Sequence, residues 1–316
     1  MRQRTHYIMS WLLGGLVFAG ATACSGDDDT KSTKETEKAP VENEVKVRRL
    51  TITEADDGAA EARQALTRAT LTEDDGLTAK WTAGNALTYW NLSRVDHGNS
   101  DAPYSGSLTA VSTAATSQFT GNVYCFAGDY LAVVYPATTF EYNDRYTLSL
   151  TGQDGTLSKL ATNYHYVFGK ATVTEVTETT ANATMEKMKS LLTVCKFSFK
   201  DKATGNPLPI TTLEISYGGN PKIDSRAGKY PQAATVAISY LTDPKDTHAS
   251  GTNITAPLTI SAGGATEVYV GLLPDSSREY NFTVANASGT YAGTATATLT
   301  EGEYVVATGL KLTQNE

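Results

Sequence analysis

The sequence predicts an all-β protein: two tandem β-sandwich domains behind an exported leader and a short tether. Three observations predict it. Short apolar runs recur about every 8–15 residues between Gly, Asp, Asn and Pro, the spacing of strands and turns rather than of βαβ units. Tyrosine outnumbers phenylalanine 17 to 8, and Thr is plentiful, a balance that suits half-buried pleated surface. Long Leu-rich helical periodicity is missing.

The leader comes first. Arg2 and Arg4 precede an apolar stretch from Tyr7 to Ala19 in which only Ser10 is polar. About a dozen residues is too short for a hydrocarbon core that needs roughly 20, so residues 1–23 read as a signal peptide. Small residues Ala21 and Ala23 directly before Cys24 resemble a lipobox, the signal for bacterial lipoprotein processing. Cys24 then becomes the first mature residue and carries acyl chains, each buried CH₂ worth about 0.8 kcal/mol. The alternative is an ordinary secretory signal with an incidental cysteine. Ser25-Gly26-Asp27-Asp28-Asp29 resembles the acidic tract that sends some lipoproteins to the cell surface, although such a run also serves as solvated linker. Residues 24–43 read as a disordered tether, too poor in apolar groups to offset the entropy of ordering.

The first domain is expected over 44–182 and the second over 183–316. Glu44–Thr53 predicts an alternating strand and Glu54–Thr67 a loop or a weak helical turn. A second strand starts at Ala69–Thr72. Runs at Ala86–Trp90, Tyr130–Tyr135, Tyr146–Leu150, Tyr164–Phe168 and Leu191–Phe199 predict further strands. So do Leu213–Tyr217, Ala234–Leu241, Val268–Leu273, Tyr280–Val284, Thr294–Leu299 and Tyr304–Leu312. The polar stretch Glu175–Asn182 predicts a loop near the domain boundary, and Ala183–Ser190 the one short helix.

The chemistry is sparse. A formal net charge of −8 and a pI near 5.1 argue against a nucleic-acid partner, which needs a basic footprint. His97, His165 and His248 stand apart from one another and from carboxylates at metal-ligand spacing. Asp27–Asp29, Asp56-Asp57 and Asp74-Asp75-Gly76 lack EF-hand spacing and read as turn chemistry. No Gly-x-Ser-x-Gly elbow, phosphate-binding glycine loop or Cys-x-x-Cys is present. Neither an enzyme, nor a metal site, nor a cofactor is expected. Trp81 and Trp90 read as core aromatics or as a carbohydrate platform. Cys125 and Cys195, both in apolar strand contexts, read either as buried thiols or as a disulfide.

On four local matches the chain resembles the fimbrillin family, the subunits of type V pili. These are the lipobox at Cys24, the run Leu66–Thr72 leading to Lys80-Trp81-Thr82-Ala83-Gly84-Asn85-Ala86-Leu87, the aromatic strand Phe126–Pro136 ending in Tyr-Pro, and Met185–Leu192 followed by Phe197-Ser198-Phe199. Val268–Pro274 and Gly302-Glu303-Tyr304 also fit. The resemblance implies transthyretin-like, Greek-key sandwiches and polymerisation by strand exchange. A protease that cuts after arginine would act at Arg68 or Arg63, whereas Arg48-Arg49 lies inside the predicted strand and is a poorer site. The first strand would leave, and a strand with Val305, Val306, Leu310 and Leu312 from another subunit would replace it. The implied partners are other fimbrial subunits, the protease, and outer-membrane lipid through Cys24 in the precursor. The implied location is the outer membrane and then a surface fimbrium serving adhesion. Within the family, an anchor or tip subunit is the alternative to a polymerising stalk subunit. Outside it stand a surface glycan-binding lipoprotein using Trp90, Tyr104 and Tyr124, and a secreted hydrolase.

Overall fold

Alternation becomes strand wherever partners exist to pair with it. In Lys46–Glu54 (β1) the side chains of Arg48, Leu50, Ile52 and Glu54 point inward and the others outward or partly outward, the signature of a strand with one face on a core. The computed structural model describes residues 46–54, 70–73, 76–94, 103–139, 145–237 and 249–315. The predicted leader, the tether, Cys24, Arg63 and Arg68 lie outside the described residues. Within Val41–Glu316 the chain forms one compact unit.

Ten more strands follow in the first half of the chain. They are β2 (Thr70–Glu73), β3 (Leu77–Lys80), β4 (Ala86–Asn91), β5 (Ser105–Ala110), β6 (Gln118–Cys125), β7 (Tyr130–Tyr135), β8 (Arg145–Ser149), β9 (Val167–Val176), β10 (Thr180–Met185) and β11 (Lys189–Ser190). Eight of these eleven strands, β1 among them, order as β10-β1-β6-β5-β4-β7-β9-β11, and β10 also pairs with β9. That extra ladder closes the sheet on itself, so β1 is one stave of a ring with neighbours on both sides.

The second half adds β12 (Thr193–Asp201), β13 (Ile210–Tyr217), β14 (Ala233–Ala237), β15 (Ala249–Thr252), β16 (Leu258–Ala265), β17 (Val268–Leu272), β18 (Asp275–Asn286), β19 (Gly289–Leu299) and β20 (Tyr304–Gln314). Seven of them form a sheet ordered β16-β13-β18-β19-β20-β12-β17. A third sheet, β15-β14-β8, takes one strand from the first half and two from the second.

Two main cores result. One, inside the ring, gathers Leu50, Ile52, Trp81, Leu87, Phe119, Val133 and Val173. The other joins Val134 and Phe168 of the ring's outer face with Tyr146 and Leu148 of β8 and with Phe197, Ile215, Val270 and Phe282 of the second half. The halves are thus packed into one hydrophobic body. Cys125 sits in the first core and Cys195 in the second, and both are free thiols. Burial pushes both thiols up, Cys125 to about 12.

The predicted helix at Ala183–Ser190 is instead the end of β10 and the whole of β11, joined by the irregular residues 186–188. Ala181, Ala183 and Met185 alternate inward, and β10 is paired on one side with β1 and on the other with β9; that pairing outweighs local helical preference. The stretch Glu175–Asn182, expected as a loop, is a hairpin: Thr177 N–H donates to the Thr180 carbonyl at 2.8 Å and the Thr177 hydroxyl accepts from Thr180 N–H at 2.9 Å. Tyr164–Phe168 is strand only from Val167, because Leu160–Tyr164 forms a wide helical turn after Leu157–Lys159, capped by the Thr156 hydroxyl. β5 and β16, rich in Ser, Gly and Thr, gave no apolar run to read.

Candidate functional site

The site that the fold singles out is the slot occupied by β1. Its backbone runs antiparallel to β6 over Lys46–Thr53 and parallel to β10 over Arg49–Glu54. Four inward side chains fill it, two apolar between two polar. Leu50 and Ile52 are fully buried, each worth about 1.5–3 kcal/mol of transfer free energy.

Arg48 is 1 % exposed. Its Nε donates to the Thr177 carbonyl at 2.6 Å, and one terminal nitrogen donates to the carbonyls of Cys125 and, at 3.4 Å, Lys46. A buried guanidinium needs such acceptors, since burying the charge without them costs heavily. At the other end Glu54 is buried, and Trp81 Nε1 donates to its Oε2 at 3.1 Å. Trp81 stands edge-on to Phe119 and to Tyr135, with centroids 4.9 and 5.5 Å apart, which fixes the ring that closes the slot. A pocket of about 270 Å³ opens at this end between Thr53, Glu54, Val111, Ser112, Thr116, Ser117 and Gln118.

A second cluster ties the chain just beyond the slot to the far sheet. Glu73, the last residue of β2, accepts from the Tyr304 hydroxyl at 2.6 Å, from the Tyr269 hydroxyl, and from Lys196 Nζ at 3.0 Å. Lys196 also meets Glu267 at 3.1 Å. The hydrogen bonds from Tyr269 and Tyr304, with help from the Lys196 cation, pull the Glu73 carboxyl down to about 2 against the opposing effect of burial. Beneath it, Leu71, Leu77 and Ala79 pack on Leu160, Ala161 and Val194.

The other sequence-predicted residues fall as follows. β20, with Val305, Val306, Leu310 and Leu312, is not a free end: it is an interior strand, parallel to β12 and antiparallel to β19. Leu312 is buried, Val305 and Leu310 are half-buried, and Val306 is 55 % exposed. Trp81 is a core residue. Tyr104 is 5 % exposed and edge-on to Tyr124, while Trp90 and Tyr124 are half-buried, so these rings do not form an open platform. His165 is buried; His97 and His248 lie outside the described residues. Among the described residues no three His, Cys, Asp or Glu side chains gather as metal ligands, and no helix is long and apolar enough to cross a membrane.

The sequence does not mark Glu54 or Glu73 as site residues, and Arg48 enters it only as a poorer cleavage site. The signal for Arg48 was present, because it shares the parity of Leu50 and Ile52. Glu73 has none, since its partners lie more than a hundred residues away.

The fold and the slot together define a nearly all-β chain, built on two large sheets, whose first strand is an internal stave. No family model and no curated protein matches the sequence. Among solved structures, the fold is similar to that of a candidate cell adhesion protein from Bacteroides uniformis ATCC 8492, at 16 % identity over 85 % of this chain and 96 % of that one, with a TM-score of 0.52. A candidate cell adhesion protein from Bacteroides ovatus ATCC 8483 matches at 14 % identity over 86 % and 97 % of the two chains, TM-score 0.49. A fimbrial protein from the same strain matches at 12 % identity over 87 % of this chain and 51 % of that one, TM-score 0.36.

Proposed function

We propose that this protein is a structural subunit of a surface fimbrium, a fimbrillin of the type V pilus kind, made as a lipoprotein and assembled by strand exchange for adhesion. The observation that carries the reading is the placement of β1. It is an internal stave with four buried side chains, and it is joined to the rest of the body through residues 55–69, where Arg63 and Arg68 stand. The fold shared with the Bacteroides uniformis adhesion protein supports the class.

The sequence of events follows from the chemistry. Export ends with acylation of Cys24, which holds the precursor at the outer membrane and then at the cell surface. An arginine-specific protease cuts after Arg68 or Arg63, which severs β1 and the lipid from the body. Departure of β1 opens the ring between β6 and β10, and each buried polar group left without a partner costs about 1–3 kcal/mol. A strand from a second copy, supplied by the C-terminal segment that carries Val305, Val306, Leu310 and Leu312, restores both ladders by strand addition. Each copy both gives and receives, so the contact is head-to-tail and grows a filament rather than a closed ring. The division into a first, receiving domain and a second, donating one, expected at 182/183, belongs to this reading, with the whole of β10 on the receiving side. No catalysis and no cofactor is part of it.

The test is the intact mass and N-terminal sequence of the protein recovered from the native cell surface. A chain that starts at Ala69 or Gln64 and carries no lipid is expected. A chain that starts at acylated Cys24 would remove the polymerising role and leave an anchor subunit or a lipid-held binding protein.

A further inference from the structure

The last strand repeats the first. Leu310-Lys311-Leu312-Thr313-Gln314 of β20 sets against Leu50-Thr51-Ile52-Thr53-Glu54 of β1 at a constant offset. Leucine falls on leucine, leucine on isoleucine, threonine on threonine and glutamine on glutamate. The one unlike pair, Lys311 and Thr51, lies on the outward parity.

Three structural features agree with that match. First, among the ladders between named strands only two are parallel, β1 with β10 and β20 with β12. Each of the two strands has its second neighbour antiparallel, β6 for β1 and β19 for β20. β20 therefore already has a parallel partner along most of its length and, at Thr313 and Gln314, an antiparallel partner on its other side, the arrangement the slot requires. Second, β20 is divided. Its ladder to β12 slips between Phe197 and Phe199, so that Ala307 and Leu310 are paired but Thr308 and Gly309 bulge, Gly309 at φ +67°. The distal part, 308–314, is the stretch that lines up with 48–54. Third, Leu312 is the one fully buried side chain of β20 at home, while Val305, Ala307 and Leu310 are only partly buried against the core and Val306 is exposed.

We propose that residues 308–314 fill the place of residues 48–54 in the next copy of this chain, running in the same direction as the strand they replace. The inference rests on the strand-exchange reading and fixes its direction and register. Leu310 and Leu312 take the places of Leu50 and Ile52 beside Phe119 and Trp81. The Gln314 side-chain oxygen accepts from Trp81 Nε1 where Glu54 did. Thr308 falls at Arg48, where one hydroxyl replaces a guanidinium in front of the Thr177 and Cys125 carbonyls. In the opposite direction Gln314 would meet those carbonyls, Thr308 would meet Trp81, and both ladders would reverse their polarity.

The test is cross-linking of the full chain after it is cut with an arginine-specific protease, with polymer growth followed by light scattering. Thr53 lies opposite Gln118 and Arg49 opposite Asn122, all on the outward face. Residue 313 takes the place of Thr53 in the proposed direction and of Arg49 in the reverse one. Mild oxidation of Thr313→Cys with Gln118→Cys is expected to give a ladder of covalent multimers, and Thr313→Cys with Asn122→Cys none. A ladder from the second pair, from both, or from neither in a sample that does polymerise would overturn the direction and register while leaving strand exchange standing. A cut chain that releases β1 but never polymerises would overturn strand exchange, and this inference with it. Thr308→Arg is the second variant; residue 308 is exposed in the single chain. It restores donors to the two carbonyls and is expected to slow depolymerisation about tenfold, and no change would count against the register.

Discussion

Single side chains decide how firmly β1 is held. Leu50 and Ile52 are fully enclosed by the ring core, so Leu50→Ala or Ile52→Ala is expected to cost about 2–5 kcal/mol in denaturant unfolding of the uncut chain. Glu73 acts differently. Its carboxyl is held near 2 by Tyr269, Tyr304 and Lys196, below its ordinary value of 4.5. A depressed carboxyl stabilises the folded chain fully above the ordinary value and loses that contribution as pH falls toward the folded one. Glu73→Gln is therefore expected to lower stability by about 1–2 kcal/mol at pH 7 in this partly exposed site. The loss should shrink between pH 4.5 and 2, measured as the difference between the two denaturation curves. Arg48 could be read from parity alone, as an arginine placed on the apolar face of a predicted strand. Glu73 could not, because nothing in Thr-Leu-Thr-Glu announces two tyrosines and a lysine from another sheet.

At the scale of elements, alternation was informative and its absence was misleading. β1 was legible because apolar residues at period two faced a core, and β7, β17 and β20 because each carries a short apolar run between turn residues. Ala183–Ser190 was read as helix because alanine and methionine favour one locally, and two flanking ladders overrode that preference. The hairpin turn at Thr177–Thr180 was hidden because its ordering comes from threonine hydroxyls rather than glycine or proline. The slot itself could be anticipated only through the family resemblance, since ring closure by the β9–β10 ladder depends on pairings that no local pattern records. An element-level prediction follows from the two-sided pairing of β1. Thr51 pairs with Thr120 on one side and Asn182 on the other, so proline there removes a donor from a central strand. Thr51→Pro is expected to unseat β1 without any cut and to make the unprocessed chain self-associate, seen as a shift to higher mass in analytical ultracentrifugation.

For the whole molecule, the mixed sheet β15-β14-β8 and the shared core of Val134, Phe168, Phe197 and Phe282 argue against independent halves. Thermal unfolding of the uncut chain is expected to be one cooperative transition, with calorimetric and van't Hoff enthalpies in agreement. Two separated transitions would mean that the shared core contributes little.

Cys125 offers a use of its own. Its carbonyl receives Arg48, and the residue pairs across the ladder with Lys46, so its sulfur lies behind the beginning of β1. While that strand is seated, a small alkylating agent meets a buried, protonated thiol and reacts only as fast as the strand opens. Once the strand has gone, the same sulfur stands at the edge of an open trough. Cys195, enclosed in the other core, supplies the internal control. The rate at which iodoacetamide labels the first relative to the second is a built-in clock for vacancy: it ticks slowly before cleavage, speeds up when the stave leaves, and slows again when another copy moves in.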